Sequence, residues 1–172
     1  MTRICVLSSS PSQNSRSRQS AQYVVSLLEQ TADMDVDFID LQETPVDLYP
    51  GKPDDAQRAD LVRRFNEADG WILAGAVYNG GPNAHIVNFL HFALKPGSTP
   101  PGRPFFLIAS AGGGGSLFAF DELGARIRRE VKAVEVSSPV LASSSVEEND
   151  IRLEAQVKLY LPFVELYSKL AR

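Results

Sequence analysis

A single cysteine among 172 residues leaves Cys5 without a partner for an intrachain disulfide, and its place inside an apolar run marks it as a buried strand residue. There are only two histidines, His85 and His91. Six residues apart on one helix, they point to different faces, which argues against a shared metal. Both precede Ser116, whose glycine run lacks the second glycine of GxSxG, so a serine hydrolase is excluded. No apolar run approaches the length of a membrane span. The opening MTRICVLSSS turns polar too early for a signal-peptide core, and the expected compartment is the cytoplasm. Basic residues are outnumbered, with a net charge of −4, which argues against nucleic acid as a partner. The one basic cluster, Arg126, Arg128, Arg129 and Lys132, reads as a solvated helix face or as a contact for an anionic substrate or acidic partner.

Two further absences concern the stretch VLSSSPSQNSRSRQSA, residues 6–21, where an apolar strand enters a serine-rich loop that becomes a helix. It has no lysine for a Walker loop and no glycine for a GxGxxG dinucleotide turn. What it has instead is hydroxyls at Ser8, Ser9, Ser10, Ser12, Ser15 and Ser17, with guanidinium groups at Arg16 and Arg18. A helix start exposes unpaired N–H groups and a partial positive charge, so the combination suits the free oxygens of a terminal phosphomonoester, such as that of FMN. The same residue types also cap helices, and the loop alone does not separate the two roles.

The chain is expected to form one domain over residues 1–172, enough to bury a single substantial core. Residues 4–7, 71–77 and 103–109 are continuous apolar runs, the pattern of central strands covered on both faces. Residues 34–42 alternate, with Val36, Phe38 and Leu41 inward, as in a strand nearer an edge. A last strand is expected over 134–142, with Pro139 implying an irregularity or an edge position. Between these lie helical patterns: Ala21, Val24, Val25 and Leu28; Ala59 (or Val62), Phe65 and Ala68, capped by Asp54 or Asp55; and Ile86, Leu90 (or Phe89) and Ala93, starting at Pro82 or Asn83. Two more follow, Leu117, Phe120, Leu123, Ile127 and Val131, then Leu153, Val157, Tyr160, Val164 and Tyr167 from about 149, with a kink expected at Pro162. The alternation predicts an α/β fold, a three-layer sandwich around a five-stranded parallel sheet of order 2-1-3-4-5. Ligands of such sheets sit beyond the carboxyl ends of the strands, which brings together residues 8–17, 76–83 and 110–116.

These three loops, SSSPSQNSRSR, AVYNGGPNAHIVN and ASAGGGGS, resemble the NADPH-dependent FMN reductases of flavodoxin-like fold, and the resemblance extends over nearly the whole chain. It implies an FMN-binding oxidoreductase that takes hydride from NADPH or NADH and reduces a small acceptor such as a flavin, quinone or azo compound. By the same resemblance, Ser9, Ser15, Arg16 and Ser17 hold the phosphate. Val77, Tyr78, Asn79 and Gly80 lie along the ribityl and isoalloxazine, and Gly112, Gly113 and Gly114 approach the pyrimidine edge. Ser8 stands where the family has glycine, Pro11 where arginine is frequent, Val77 where glutamate is frequent, and Pro82 one position early. The family implies a homodimer or homotetramer, and the apolar VNFLHFAL segment, residues 87–94, suits subunit packing. The alternative is a non-enzymatic, flavodoxin-like electron carrier.

Overall fold

A computed structural model describes residues 1–52, 55–111, 117–142 and 146–171. The three apolar runs form β1 (Thr2–Ser8), β3 (Gly70–Tyr78) and β5 (Pro104–Ser110), and the alternating segment forms β2 (Met34–Asp40). Successive side chains of the central strands enter opposite cores. Cys5, Leu7, Trp71, Leu73, Phe105 and Leu107 face one side, and Ile4, Val6, Ile72, Ala74, Phe106 and Ile108 the other. Because both faces are covered, both periods of these strands must be apolar, which is why their sequences do not alternate. Burial pushes the Cys5 thiol up, and the nearby negative charge of Asp37 adds to it, so the buried cysteine is an inert thiol.

The order is β2-β1-β3-β5, parallel throughout, with the fifth position shared by β6 (Val134–Glu135) and β7 (Val140–Ala142), both paired to β5. The expected order therefore holds, but the last strand is two short ones. A tertiary amide at Pro139 cannot donate to a ladder, and residues 136–139 bridge the break. A seventh strand, β4 (Gly81–Pro82), is antiparallel to β3.

Helices α1 (Arg16–Glu29) and α5 (Val146–Leu170) cover one face, and α2 (Ala56–Glu67), α3 (Ala84–Ala93) and α4 (Leu117–Val131) cover the other. Most of the expected stripe residues are buried, Val25 and Tyr167 only partly, and one exchange occurs on α2. Leu61, not Ala59 or Val62, joins Phe65 and Ala68 inside, because the larger side chain removes more apolar surface from water. Asp55 caps α2, and Asp54 lies outside the described residues. Helix α5 starts at Val146 and runs through Pro162. No helix of the described residues is long and apolar enough to cross a membrane.

Candidate functional site at the carboxyl ends of the strands

The chain leaves β1 at Ser8 and returns as α1 at Arg16. Ser15 is the N-cap, with φ −79° and ψ 125°, and its Oγ accepts from the Arg18 N–H at 3.2 Å. The Ser17 Oγ lies 2.8 Å from the Ser15 Oγ. One of these hydroxyls donates to the other, with Ser15 at the cleft and Ser17 buried behind it. The N–H groups of Arg16 and Ser17 have no intrahelical acceptor, and the first turn carries no acidic side chain to compete with an anion.

The two arginines of this loop part company. Arg16 is exposed beside the helix start. Arg18 turns away: its Nε pairs with Asp40 at 2.6 Å, and its terminal nitrogens donate to Gln42 Oε1 and Glu43 Oε1, each at 2.8 Å. Arg18 thus ties α1 to the end of β2 and leaves Arg16 as the loop's guanidinium at the cleft.

Ser9 is committed to a buried knot. Its Oγ donates to the Ala74 carbonyl at 3.0 Å and accepts from Asn83 Nδ2 at 3.0 Å. Asn83 also donates Nδ2 to the Ala76 carbonyl at 3.3 Å, and its Oδ1 caps α3 by accepting from the Ile86 N–H at 3.2 Å. A single amide therefore fixes the first loop, the end of β3 and the start of α3. Gly75 makes room for it: a Cβ there would meet Ser9 Oγ at 2.8 Å and Asn83 Nδ2 at 2.9 Å.

The second loop is a two-residue hairpin. Tyr78 pairs with Gly81, and Asn79 and Gly80 between them have φ of +51° and +77°. Both central residues with positive φ make a type I′ turn, for which Asn-Gly is the favoured dipeptide. That signal was present in YNGG and foretells β4. The hairpin leaves Tyr78 half exposed at the rim.

Between these loops opens a cleft of about 270 Å³. From the first loop it is lined by Ser10, Ser12, Asn14, Ser15 and Arg16, from β3 by Ala76, Val77 and Tyr78, and from the end of β5 by Ser110 and Ala111. Of the expected contacts, Ser15, Arg16, Val77 and Tyr78 line it. Ser9 and Ser17 lie buried behind it, and Asn79 and Gly80 form the hairpin tip. Gly112, Gly113 and Gly114 lie outside the described residues. Ser10 and Ser12, named among the hydroxyls of the first loop, line it too, whereas sequence reasoning did not single out Asn14 or Ser110, although each is a polar residue of a loop beyond a strand's carboxyl end. Larger hollows exist, about 480 Å³ beside Arg58 and Phe92, about 440 Å³ beside Asp33 and Glu165 and about 430 Å³ beside Pro100 and Leu170. None of the three has the open helix start, the hydroxyls and the uncommitted guanidinium that gather here. No carboxylate is among the described residues lining the cleft, so its donor set fits a phosphomonoester.

Known proteins place the fold and the family. Residues 2–148 match the family model of the NADPH-dependent FMN reductases. No curated protein matches the sequence. Among solved structures, the apo form of the NADH:FMN oxidoreductase EMOB superposes with a TM-score of 0.74 at 20% identity, covering 97% of this chain and 88% of that one. FerB, an NAD(P)H:(acceptor) oxidoreductase from Paracoccus denitrificans, gives 0.73 at 18% identity, covering 97% and 99%. The Streptococcus pneumonia TIGR4 flavodoxin gives 0.66 at 19% identity, covering 94% and 99%. At such identities the structural likeness concerns the fold, and it is flavodoxin-like in each case. With the family model spanning the sheet and all three of its ligand-facing loops, the chain belongs to the NADPH-dependent FMN reductases, oxidoreductases that use FMN with NAD(P)H as electron donor.

Proposed function

We propose that FMN is held with its phosphate at the start of α1, between the Arg16 and Ser17 N–H groups, the Ser15 and Ser17 hydroxyls and the Arg16 guanidinium, with Ser9 bracing the loop from behind. Val77, Tyr78, Asn79 and Gly80 flank the ribityl and isoalloxazine, and the backbone amides of Gly112, Gly113 and Gly114 serve the pyrimidine edge. When bound there, FMN would supply the redox chemistry between NADPH or NADH as hydride donor and a small acceptor such as free flavin, a quinone or an azo compound. The chain's own part is placement and charge: donors that are already oriented cost little to use when negative charge arrives. No general acid or base is assigned to a side chain. The enzyme is read as a cytoplasmic homodimer or homotetramer.

The convergence of three loops on one acid-free helix start carries this reading. Calorimetric titration with FMN tests it, with one FMN per chain expected. Arg16→Ala should weaken uptake about 10- to 100-fold, the worth of one charge-assisted hydrogen bond. Absence of uptake by folded protein overturns the assignment. Steady-state oxidation of NADPH or NADH with added FMN or quinone then decides between reductase and carrier: tight FMN binding without turnover favours the carrier.

A further inference from the structure

Helix α5 has more apolar surface than its own core uses. Its inner stripe, Leu153, Val157, Tyr160 and Val164, is fully or almost fully buried. On the outer side runs a second row, in which Leu159, Phe163, Leu166 and Leu170 are 49%, 45%, 57% and 77% exposed. A helix lying on a sheet needs one apolar stripe and normally turns polar residues to solvent. The outer row recurs at spacings of four, three and four residues, the seam of a helix packed against another helix. Beside it lies an apolar groove of about 430 Å³ lined by Pro100, Val134, Phe163, Leu166 and Leu170, with Val134 itself 44% exposed.

The segment expected to make subunit contacts has most of its apolar side chains turned inward. In residues 87–94, Phe89, Leu90, Phe92, Ala93 and Leu94 are buried in the chain's own core. Its apolar content mostly covers the sheet; Leu48, Tyr49, Tyr78 and Phe118 are exposed outside it, but the one regular helical row of exposed apolar side chains among the described residues lies across the sheet, on α5.

We infer that the outer face of α5 packs on the same face of a second copy, with the two α5 helices antiparallel across a two-fold axis near residues 164 and 165. That alignment sets Leu159 against Leu170 of the other copy and Phe163 against Leu166, apolar on apolar along the whole row. Ridge and groove belong to one patch, so the surface is complementary to itself, as a two-fold contact requires. The area agrees. At roughly 200 Å² for a fully exposed large apolar residue, the five exposed side chains present about 500 Å². A standard interface takes about 800 Å² from each partner, about 65% of it apolar in homodimers, which is again about 500 Å². The groove lies at Pro104, where β5 begins, whereas the cleft lies at Ser110, where it ends. Pairing through α5 therefore leaves the flavin cleft open.

This inference rests on the homo-oligomer reading and is independent of the flavin site. Sedimentation equilibrium of the full chain tests both. Wild type is expected at a multiple of the single-chain mass, and Phe163→Glu with Leu166→Glu should weaken self-association about 100-fold or more while FMN uptake and far-UV circular dichroism stay unchanged. A wild type that sediments as one chain, with its patch left to another protein or a lipid surface, overturns the oligomer reading and this interface together. A wild type that associates as tightly as the double variant leaves the oligomer standing and overturns the interface. The alignment has its own check. Leu159→Cys mixed with Leu170→Cys under mild oxidation should give the mixed disulfide dimer, with Cys5 buried and silent. Self-linked Leu159→Cys dimers in its place would overturn the antiparallel arrangement.

Discussion

Asn83 shows how much a single buried amide can organise. It is 2% exposed, and both ends of its side chain are used, the oxygen on the α3 start and the nitrogen on Ser9 and Ala76. Asn83→Ala removes a helix cap worth about 1 kcal/mol. It also strips a partner from buried polar atoms, at about 1–3 kcal/mol. The expected loss is about 2–4 kcal/mol in urea unfolding followed by fluorescence of Trp71, the only tryptophan, which is fully buried with its indole N–H on the Phe65 carbonyl at 2.7 Å. Asn83→Asp separates the two functions. A carboxylate can still accept from the Ile86 N–H, but it cannot donate to Ser9 or Ala76, so FMN affinity should fall nearly as far as in the alanine variant. If the aspartate variant bound FMN as wild type does, the donated hydrogen bonds would have no role in shaping the loop.

At the scale of elements, β3 is where packing and site meet. A methyl at Gly75 would also approach Phe120 Cζ at 2.9 Å, so it is closed in by the knot and by α4 at once. Gly75→Ala is expected to cost about 1–3 kcal/mol through overpacking and to weaken FMN uptake as well. A stable, fully binding variant would show that the knot can shift without consequence. The other edge of the sheet is held by charge. Arg64 of α2 and Arg3 of β1 both reach Asp37 of β2, the Arg3 contact at 3.0 Å. Burial tends to raise the Asp37 carboxyl, but the hydrogen bonds and charges of the two arginines outweigh it and hold the group below its usual value of 3.8. A depressed folded-state value means stability that is present above the unfolded value and disappears as pH falls through the folded one. Asp37→Asn should therefore be less stable than wild type by about 1–3 kcal/mol at neutral pH, and the gap should close as pH drops below about 4. A gap that stayed constant down to the acid transition would mean that the arginines contribute by packing alone.

The same elements show what a sequence makes legible. The central strands could be read because coverage on both faces forces contiguous apolar runs, and the order of the sheet followed from their alternation with helices. The split of β6 from β7 was announced only as an irregularity at Pro139, since where a ladder resumes depends on the neighbouring strand. Ala59 and Leu61 lie two positions apart on α2, and a small change in helix rotation decides between them. The cleft was legible as three loops, because strand ends and polar turns are local features. The separation of Arg16 from Arg18 was not, because Asp40, Gln42 and Glu43 come close only after β2 has paired with β1.

Over the whole molecule, the cleft is assembled from loops that follow β1, β3 and β5 and have no fixed relation in the unfolded chain. A ligand that touches all of them binds only the folded state and so stabilises it by RT ln(1 + [L]/Kd), about 2.7 kcal/mol at a hundredfold excess over Kd. For a chain of this length each kcal/mol is worth roughly 2–4 °C, so FMN at that excess should raise the melting temperature by about 5–10 °C. The two arginines of the first loop then give opposite signatures. Arg16→Ala should melt like wild type without FMN and lose at least about half of the FMN-induced rise, because a tenfold weaker Kd already removes about 1.4 kcal/mol of the linked stability. Arg18→Ala should melt lower without FMN, since the buried Asp40 loses its charge partner, and keep most of the rise. Differential scanning calorimetry at matched FMN concentrations separates the cases. If the two variants exchanged these patterns, the phosphate would be held by the arginine that the structure turns toward β2, and the loop would have to rearrange on binding.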